Sequence, residues 1–321
     1  SYLYRVVNVV MAPDLVRDLG IGPSALGLLT ASYFISFASV QLPLGVLLDR
    51  FGPRKVEAFL LIFAGLGAFV FARSGTLAGL VMGRALIGFG VAACLMAAFK
   101  AYVLWFPKRQ WPLANGFQMA AGGMGAIAAT TPVEAALQIT DWRGVFAILA
   151  LLTLLVAVII FLVVPEKPLD EKGESFGDQM RGVRQVFSSL EFWRTAPLTT
   201  MSQASFLSIQ GLWAGPWLKD VAGMDRTAVA RSLLWIAVAM VAGFISLGTL
   251  AERLARFGIS SLTTAVIGVS FFMVIQLAII LGLGDSPMLL WVCFGFFGTS
   301  NIITYASLSQ SFPAHLSGRV T

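Results

Sequence analysis

The stretch GVLLDRFGPRK, residues 45–55, sets three cations, one acid and two glycines between two long apolar runs. Those runs cover about residues 26–48 and 56–72, each close to the ~20 residues with which an α-helix crosses a bilayer core. The stretch therefore reads as the turn between two antiparallel membrane helices. Gly45 removes a side chain where helix ends converge, Gly52 permits a left-handed backbone that other residues resist, and Pro53 suits the first turn of the next helix. Arg50, Arg54 and Lys55 put the turn on the inner side, where positive charge accumulates in short loops.

The rest of the chain agrees with a lipid solvent. Of 321 residues, 58% are hydrophobic and 12% charged, and the mean hydropathy is +0.84. That is too much apolar surface for a soluble core to hide. A net charge of +6 would suit nucleic acid, but the cations sit in short connections, with about twice as many on the loops assigned inside as on those assigned outside. Cys94 and Cys293 fall in separate apolar runs and His315 is the single histidine, so neither a disulfide nor a metal site is expected. No cofactor is expected either. The chain has no GxxxxGK[ST] loop, HExxH or GxSxG motif, so it reads as neither a nucleotide-driven pump nor an enzyme.

Further apolar runs lie at about 77–105, 115–138, 145–164, 197–218, 229–251, 259–283 and 287–308. The first run, residues 2–12, is half a span, and residues 13–22 read as a polar outer connection. It is expected to be the outer half of a first helix whose beginning is missing. Residues 165–194 form the long polar segment, with a short amphipathic helix expected near 180–190 on the membrane surface. A repeat links the two ends of the chain: GVLLDR at 45–50 returns as GTLAER at 248–253, with Gly248, Glu252 and Arg253 at the spacing of Gly45, Asp49 and Arg50. The 77–105 and 287–308 runs both lead to Phe-Pro, at 106–107 and 312–313.

Gly45, Leu47, Asp49, Arg50, Gly52, Arg54 and Lys55 resemble the loop signature of the major facilitator superfamily. That resemblance implies an all-α integral membrane fold of two pseudo-symmetric six-helix halves with a substrate site between them near mid-membrane. The halves are assigned to residues 1–164 and 196–321, with 165–195 as an inner linker; about ten of twelve helices are accounted for, and helices eleven and twelve are expected beyond Thr321. In the superfamily the loop acid meets the start of helix eleven, so Asp49 is expected to lack its partner here. The two matched turns, at 45–52 and 248–253, are expected to hold a closed state. The run from Arg84 to Gly90 also resembles the superfamily's fourth-helix pattern, whose arginine is linked to proton transfer. In the fifth helix, Gly122, Gly123 and Gly125 precede Thr131-Pro132, which departs from the Gly-Pro pattern of the proton-driven antiporters and favours uptake over efflux.

Ionisable side chains in hydrocarbon are functional candidates. Arg5, Arg84 and Glu134 all fall roughly 10 Å below the outer boundary at ~1.5 Å per residue. Two cations and one carboxylate leave a charge of one for an organic anion to neutralise, and Glu134 is the candidate proton carrier. The plain alternative is a structural ion-pair network among these helices. Lys100, nearer the inner end, can snorkel. Asn8 and Gln41 add polar groups to the first half; Gln203, Gln210, Trp213, Asn301 and Tyr305 supply them in the second. Gly215-Pro216 should loosen the helix next to Trp213.

The reading is a secondary transporter working by alternating access, by symport or uptake of a small organic anion. The alternatives are efflux of a drug or metabolite and a non-transporting membrane sensor. The expected partners are a small-molecule substrate, protons and the bilayer. The expected state is a monomer in a bacterial inner membrane.

Overall fold

The computed structural model describes residues 1–107, 111–166, 176–283 and 287–300. Regular structure among them is helical, and the chain divides into two compact units, Ser1–Phe176 and Gly177–Thr321. The first holds α1 (Tyr2–Leu19), α2 (Pro23–Arg73), α3 (Leu77–Gly90), α4 (Cys94–Trp105), α5 (Trp111–Ala128), α6 (Thr131–Leu137) and α7 (Trp142–Val163). The second holds α8 (Phe176–Phe187), α9 (Leu190–Ser208), a π-helical turn (Ile209–Trp213), α10 (Ala214–Asp220), α11 (Arg226–Arg256), α12 (Ser261–Ile280), α13 (Pro287–Phe297) and a 3-10 turn (Gly298–Ser300).

Residues 45–51 are helical, not a loop. The whole of Pro23–Arg73 is helix except at Gly52, whose φ of 79° and ψ of 160° make the only break. One glycine thus joins two spans, and Pro53 opens the second because its missing N–H falls among donors left unbonded at a helix start. At the second repeat the helix runs through Gly248, Glu252 and Arg253 to Arg256. The positive φ comes later, at Gly258 (82°). The true counterpart of Arg50-Phe51-Gly52 is therefore Arg256-Phe257-Gly258, not the GTLAER stretch.

Other boundaries move for local reasons. The first helix continues past Pro13 to Leu19, where Gly20 caps it with φ 63°; the 13–22 connection shrinks accordingly. The fourth span breaks at 91–93 and the fifth at 129–130, where Pro132 opens α6. The helix expected at 197 starts at Leu190 with Pro197 inside, and the amphipathic helix of the polar segment lies at Phe176–Phe187. Five helical stretches among the described residues are long and apolar enough to cross a membrane, the first, Pro23–Arg73, having 51 residues. α1 falls short because it carries Arg5, Asp14, Arg17 and Asp18; α5 and α9 are long enough but too polar.

Close approach of α3 to α2 organises the first unit. A Cβ on Gly83 would collide with the Gly67 carbonyl, one on Gly88 with the Tyr33 carbonyl, and one on Gly90 with Ala64. Without a hydrophobic drive between helices in lipid, such small-residue contacts supply the packing. They also bring Arg84, one turn before Gly88, beside Tyr33. On α5, Gly122 and Gly125 lie against Tyr2 and Leu3 of α1. The second unit repeats the device, with Gly243 against Phe296 and Gly295 against Ile236. Thr76 and Asp141 cap α3 and α7 by accepting from the Gly79 and Gly144 N–H groups.

Candidate functional site

Arg84 is fully buried. Its Nη1 donates to the Tyr4 carbonyl at 2.8 Å, and its guanidinium lies 4.8 Å from the Tyr33 ring centroid. Nε and Nη2 have no hydrogen-bond partner among the described residues. Burying a guanidinium costs several kcal/mol unless hydrogen bonds and charge offset it; one carbonyl and one ring face, the latter worth about 0.5–2 kcal/mol, offset it only in part. Two donor nitrogens, Nε and Nη2, remain for something else.

Arg5 sits over the rings of Tyr2, Phe37 and Phe34 at 4.9, 5.5 and 5.7 Å, and its Nε is buried with no partner among the described residues. Phe37 stacks on Tyr33 at 6.3 Å, so the two arginines flank one aromatic strip on α2. Asn8, one turn after Tyr4, is 1% exposed, and both its side-chain atoms lack partners in the described structure; so does the buried Tyr33 hydroxyl. Tyr4 shares its hydroxyl with Thr153 at 2.9 Å. Buried polar groups are as a rule hydrogen-bonded, so the orphaned donors and acceptors gathered on α1, α2 and α3 mark a candidate polar site.

Glu134 is also buried, in the first turn of α6. Among the described residues no ion pair joins it to Arg5 or Arg84.

The remaining charges of the first unit are differently placed. Lys100 Nζ donates to Asp49 at 2.6 Å. Asp49 is thus paired within the first unit by a residue other than the expected helix-eleven contact, and Lys100 is engaged at the inner end. Arg54 donates from Nη1 to the Val164 carbonyl at 3.1 Å, and its Nη2 lies 3.6 Å from Glu166, which also meets Lys55 at 2.5 Å. The Lys55 hydrogen bond holds the Glu166 carboxyl below the ordinary range. Arg50 is exposed beside Phe51. Gln41 donates to the Ala92 carbonyl at 3.2 Å, where the α3–α4 break frees backbone acceptors. At the outer end, Trp142 Nε1 donates to Asp18 at 3.0 Å and keeps that carboxyl low.

In the second unit, Gln210 and Trp213 fall in the π-helical turn, a feature frequent at functional sites. It lies just ahead of Gly215-Pro216. Gln210 is buried with Nε2 3.2 Å from Met240 Sδ; Gln203 is half-buried and Trp213 is 40% exposed. Gly248 faces open space and Arg253 is exposed. Asn301, Tyr305 and the Glu252 side chain lie outside the described residues. Sequence reasoning passed over Tyr33, whose ring lies against Arg84, and Gln276, which accepts from Ser205 at 2.6 Å. An aromatic one turn before Phe37 on an apolar helix looks like packing; only its neighbour shows otherwise. The second Arg-Phe-Gly was legible as a repeat and was masked by the stronger match of GTLAER.

Comparison with known proteins places this geometry in context. The family model of the Major Facilitator Superfamily matches residues 1–321. A probable sulfoacetate transporter, SauU, of Cupriavidus necator is 25% identical over 272 residues, 80% of this chain and 63% of the relative. The hexuronate transporter of Escherichia coli K12 is 27% identical over 172 residues, 54% of this chain and 40% of the relative. The chain thus spans less than two thirds of either relative. Among solved structures, a bacterial homolog of the human lysosomal transporter Spinster has a TM-score of 0.77 at 18% identity, over 99% of this chain and 75% of that one. A D-xylose-proton symporter gives 0.70 at 16%, over 99% and 82%; at such identities the likeness speaks for the fold.

Proposed function

The chain belongs to the Major Facilitator Superfamily and is a multi-pass integral membrane protein; from that premise we propose that it is part of a secondary transporter that takes up a small organic anion by alternating access. The observation that carries the reading is Arg84: a fully buried guanidinium with two donor nitrogens that have no partner among the described residues. Arg84 and Arg5 are the anion contacts, Asn8 and Tyr33 supply further hydrogen bonds, and the aromatic strip carries the apolar part of the guest. A planar guanidinium fork suits carboxylate or sulfonate oxygens. The two relatives named for sulfoacetate and hexuronate, both organic anions, support the substrate class.

Proton coupling is assigned to Glu134, the buried carboxylate of α6. The proposed assembly is two helical halves, residues 1–164 and 196–321, joined through 165–195. The test is uptake of labelled sulfoacetate and galacturonate by the full-length protein in proteoliposomes, with and without an inward pH gradient. Saturable uptake of either anion, stimulated by the gradient, is expected; uptake of neither, with a neutral sugar accepted instead, would overturn the substrate class.

A further inference from the structure

Arg5 makes no ion pair among the described residues, and its Nε is buried without a hydrogen-bond partner there. What surrounds the guanidinium is aromatic. The ring centroids of Tyr2, Phe37 and Phe34 stand 4.9, 5.5 and 5.7 Å from Cζ, all within the about 6 Å over which a ring quadrupole attracts a cation. Three rings, one on α1 and two on α2, converge on one charge.

Each wall has a support other than Arg5. Phe34 packs edge-on against Tyr33 at 5.1 Å, and Phe37 stacks on the same ring at 6.3 Å; Tyr33 itself is fully buried. Residues 34 and 37 are three apart and so share a helix face. Tyr2 is backed by Gly122 of α5, where an added Cβ would stand 3.1 Å from the ring; the glycine leaves the room that ring occupies. Walls held in this way keep their places when the occupant is removed.

We propose that Tyr2, Phe34 and Phe37 form a preformed cage for a flat, delocalised cation, with Arg5 as its resident guest. Contact with ring faces leaves the N–H edge of a guanidinium open to a ligand, so the three rings are positioning residues for Arg5. Emptied of Arg5, the same cage takes a free guanidinium. The cage stands on its own geometry; only its bearing on substrate rests on the anion reading.

The test uses the full-length protein carrying Arg5→Ala and two probes of similar shape, methylguanidinium and the uncharged N-methylurea. Methylguanidinium is expected to raise the melting temperature of Arg5→Ala saturably, by about 2 °C at tenfold excess over its dissociation constant. It should leave the parent, whose cage is filled, unmoved, and N-methylurea should shift neither. Adding Phe37→Leu to Arg5→Ala should remove the shift; adding Phe37→Trp should keep it, because tryptophan offers the stronger ring face. In proteoliposomes, Phe37→Leu alone should raise the KM for the anion about fivefold, the worth of one cation–π contact, with turnover unchanged, while Phe37→Trp holds the parent KM. This pair decides the matter if Arg5→Ala does not fold. No shift in Arg5→Ala, an equal shift with N-methylurea, or a shift that survives Phe37→Leu overturns the cage; equal KM values in Phe37→Leu and Phe37→Trp overturn its positioning role. A methylguanidinium shift in a protein that transports no anion sinks the anion reading alone.

Discussion

The first unit treats its charges in two opposite ways. At the inner end Asp49, Lys100, Arg54, Lys55 and Glu166 are paired within 2.5–3.6 Å and partly exposed, whereas Arg5 and Arg84 lie deeper on aromatic rings and a carbonyl with no acid paired to either among the described residues. Partly exposed pairs gain little, because water already solvates both partners. A buried, unpaired cation is costly and persists when something outside the protein completes it. The difference teaches where to look: the inner charges set geometry, and the deep ones are those the proposed function assigns to substrate.

The most direct way to break that contrast is Arg84→Met. If the guanidinium completes its shell with substrate, anion uptake should fall by about 30-fold or more, the lower end of the cost of losing one partner of a buried charged contact. The variant should still insert in the membrane and melt at or above the parent temperature, because an incompletely satisfied buried charge has been removed. Unchanged uptake would reduce Arg84 to packing. Glu134→Gln comes next: gradient-driven accumulation should vanish while exchange of anion for anion persists, and stimulation by the gradient that survives the change removes Glu134 from the coupling role.

Lys100→Met tests the inner side. Its side chain and that of Asp49 are 32% and 27% exposed, so solvent screening limits the loss to less than about 1 kcal/mol, or a melting shift of no more than about 3 °C. Anion affinity should not change; a tenfold loss would place Lys100 in the substrate path. The smallest effect belongs to Glu166. Its pKa is depressed by Lys55, so its contribution is present above the unfolded value, about 4.3, and is lost as pH falls through the lower folded value. The melting difference between the parent and Glu166→Gln should therefore stay constant between pH 7 and 5 and close only below about pH 4.

Much of this was legible in residue order. Hydropathy and the cations of residues 45–55 located the first inner turn, and Gly52 was identified as its left-handed residue. The deep arginines stood out as ionisable groups in apolar runs. What could not be read was partnership. Nothing near Asp49 in the chain points to Lys100, 51 residues away, and nothing near Arg5 or Arg84 points to the rings of Phe37 and Tyr33 that lie beside them. The end of the second repeat was misplaced because Gly248, with open space around it, imposes nothing on the helix, while Gly258 carries the positive φ.

Sequence alone therefore determined the solvent, the helical class, the inner turn and the list of costly charges, since transfer energies and backbone preferences are properties of single residues and short runs. Which of those charges are satisfied was decided by tertiary structure. The approach of Gly88 to the Tyr33 backbone brings Arg84 under an aromatic ring and onto the Tyr4 carbonyl, and hydrogen bonds and desolvation depend on what lies within a few ångströms in space, not on neighbours along the chain.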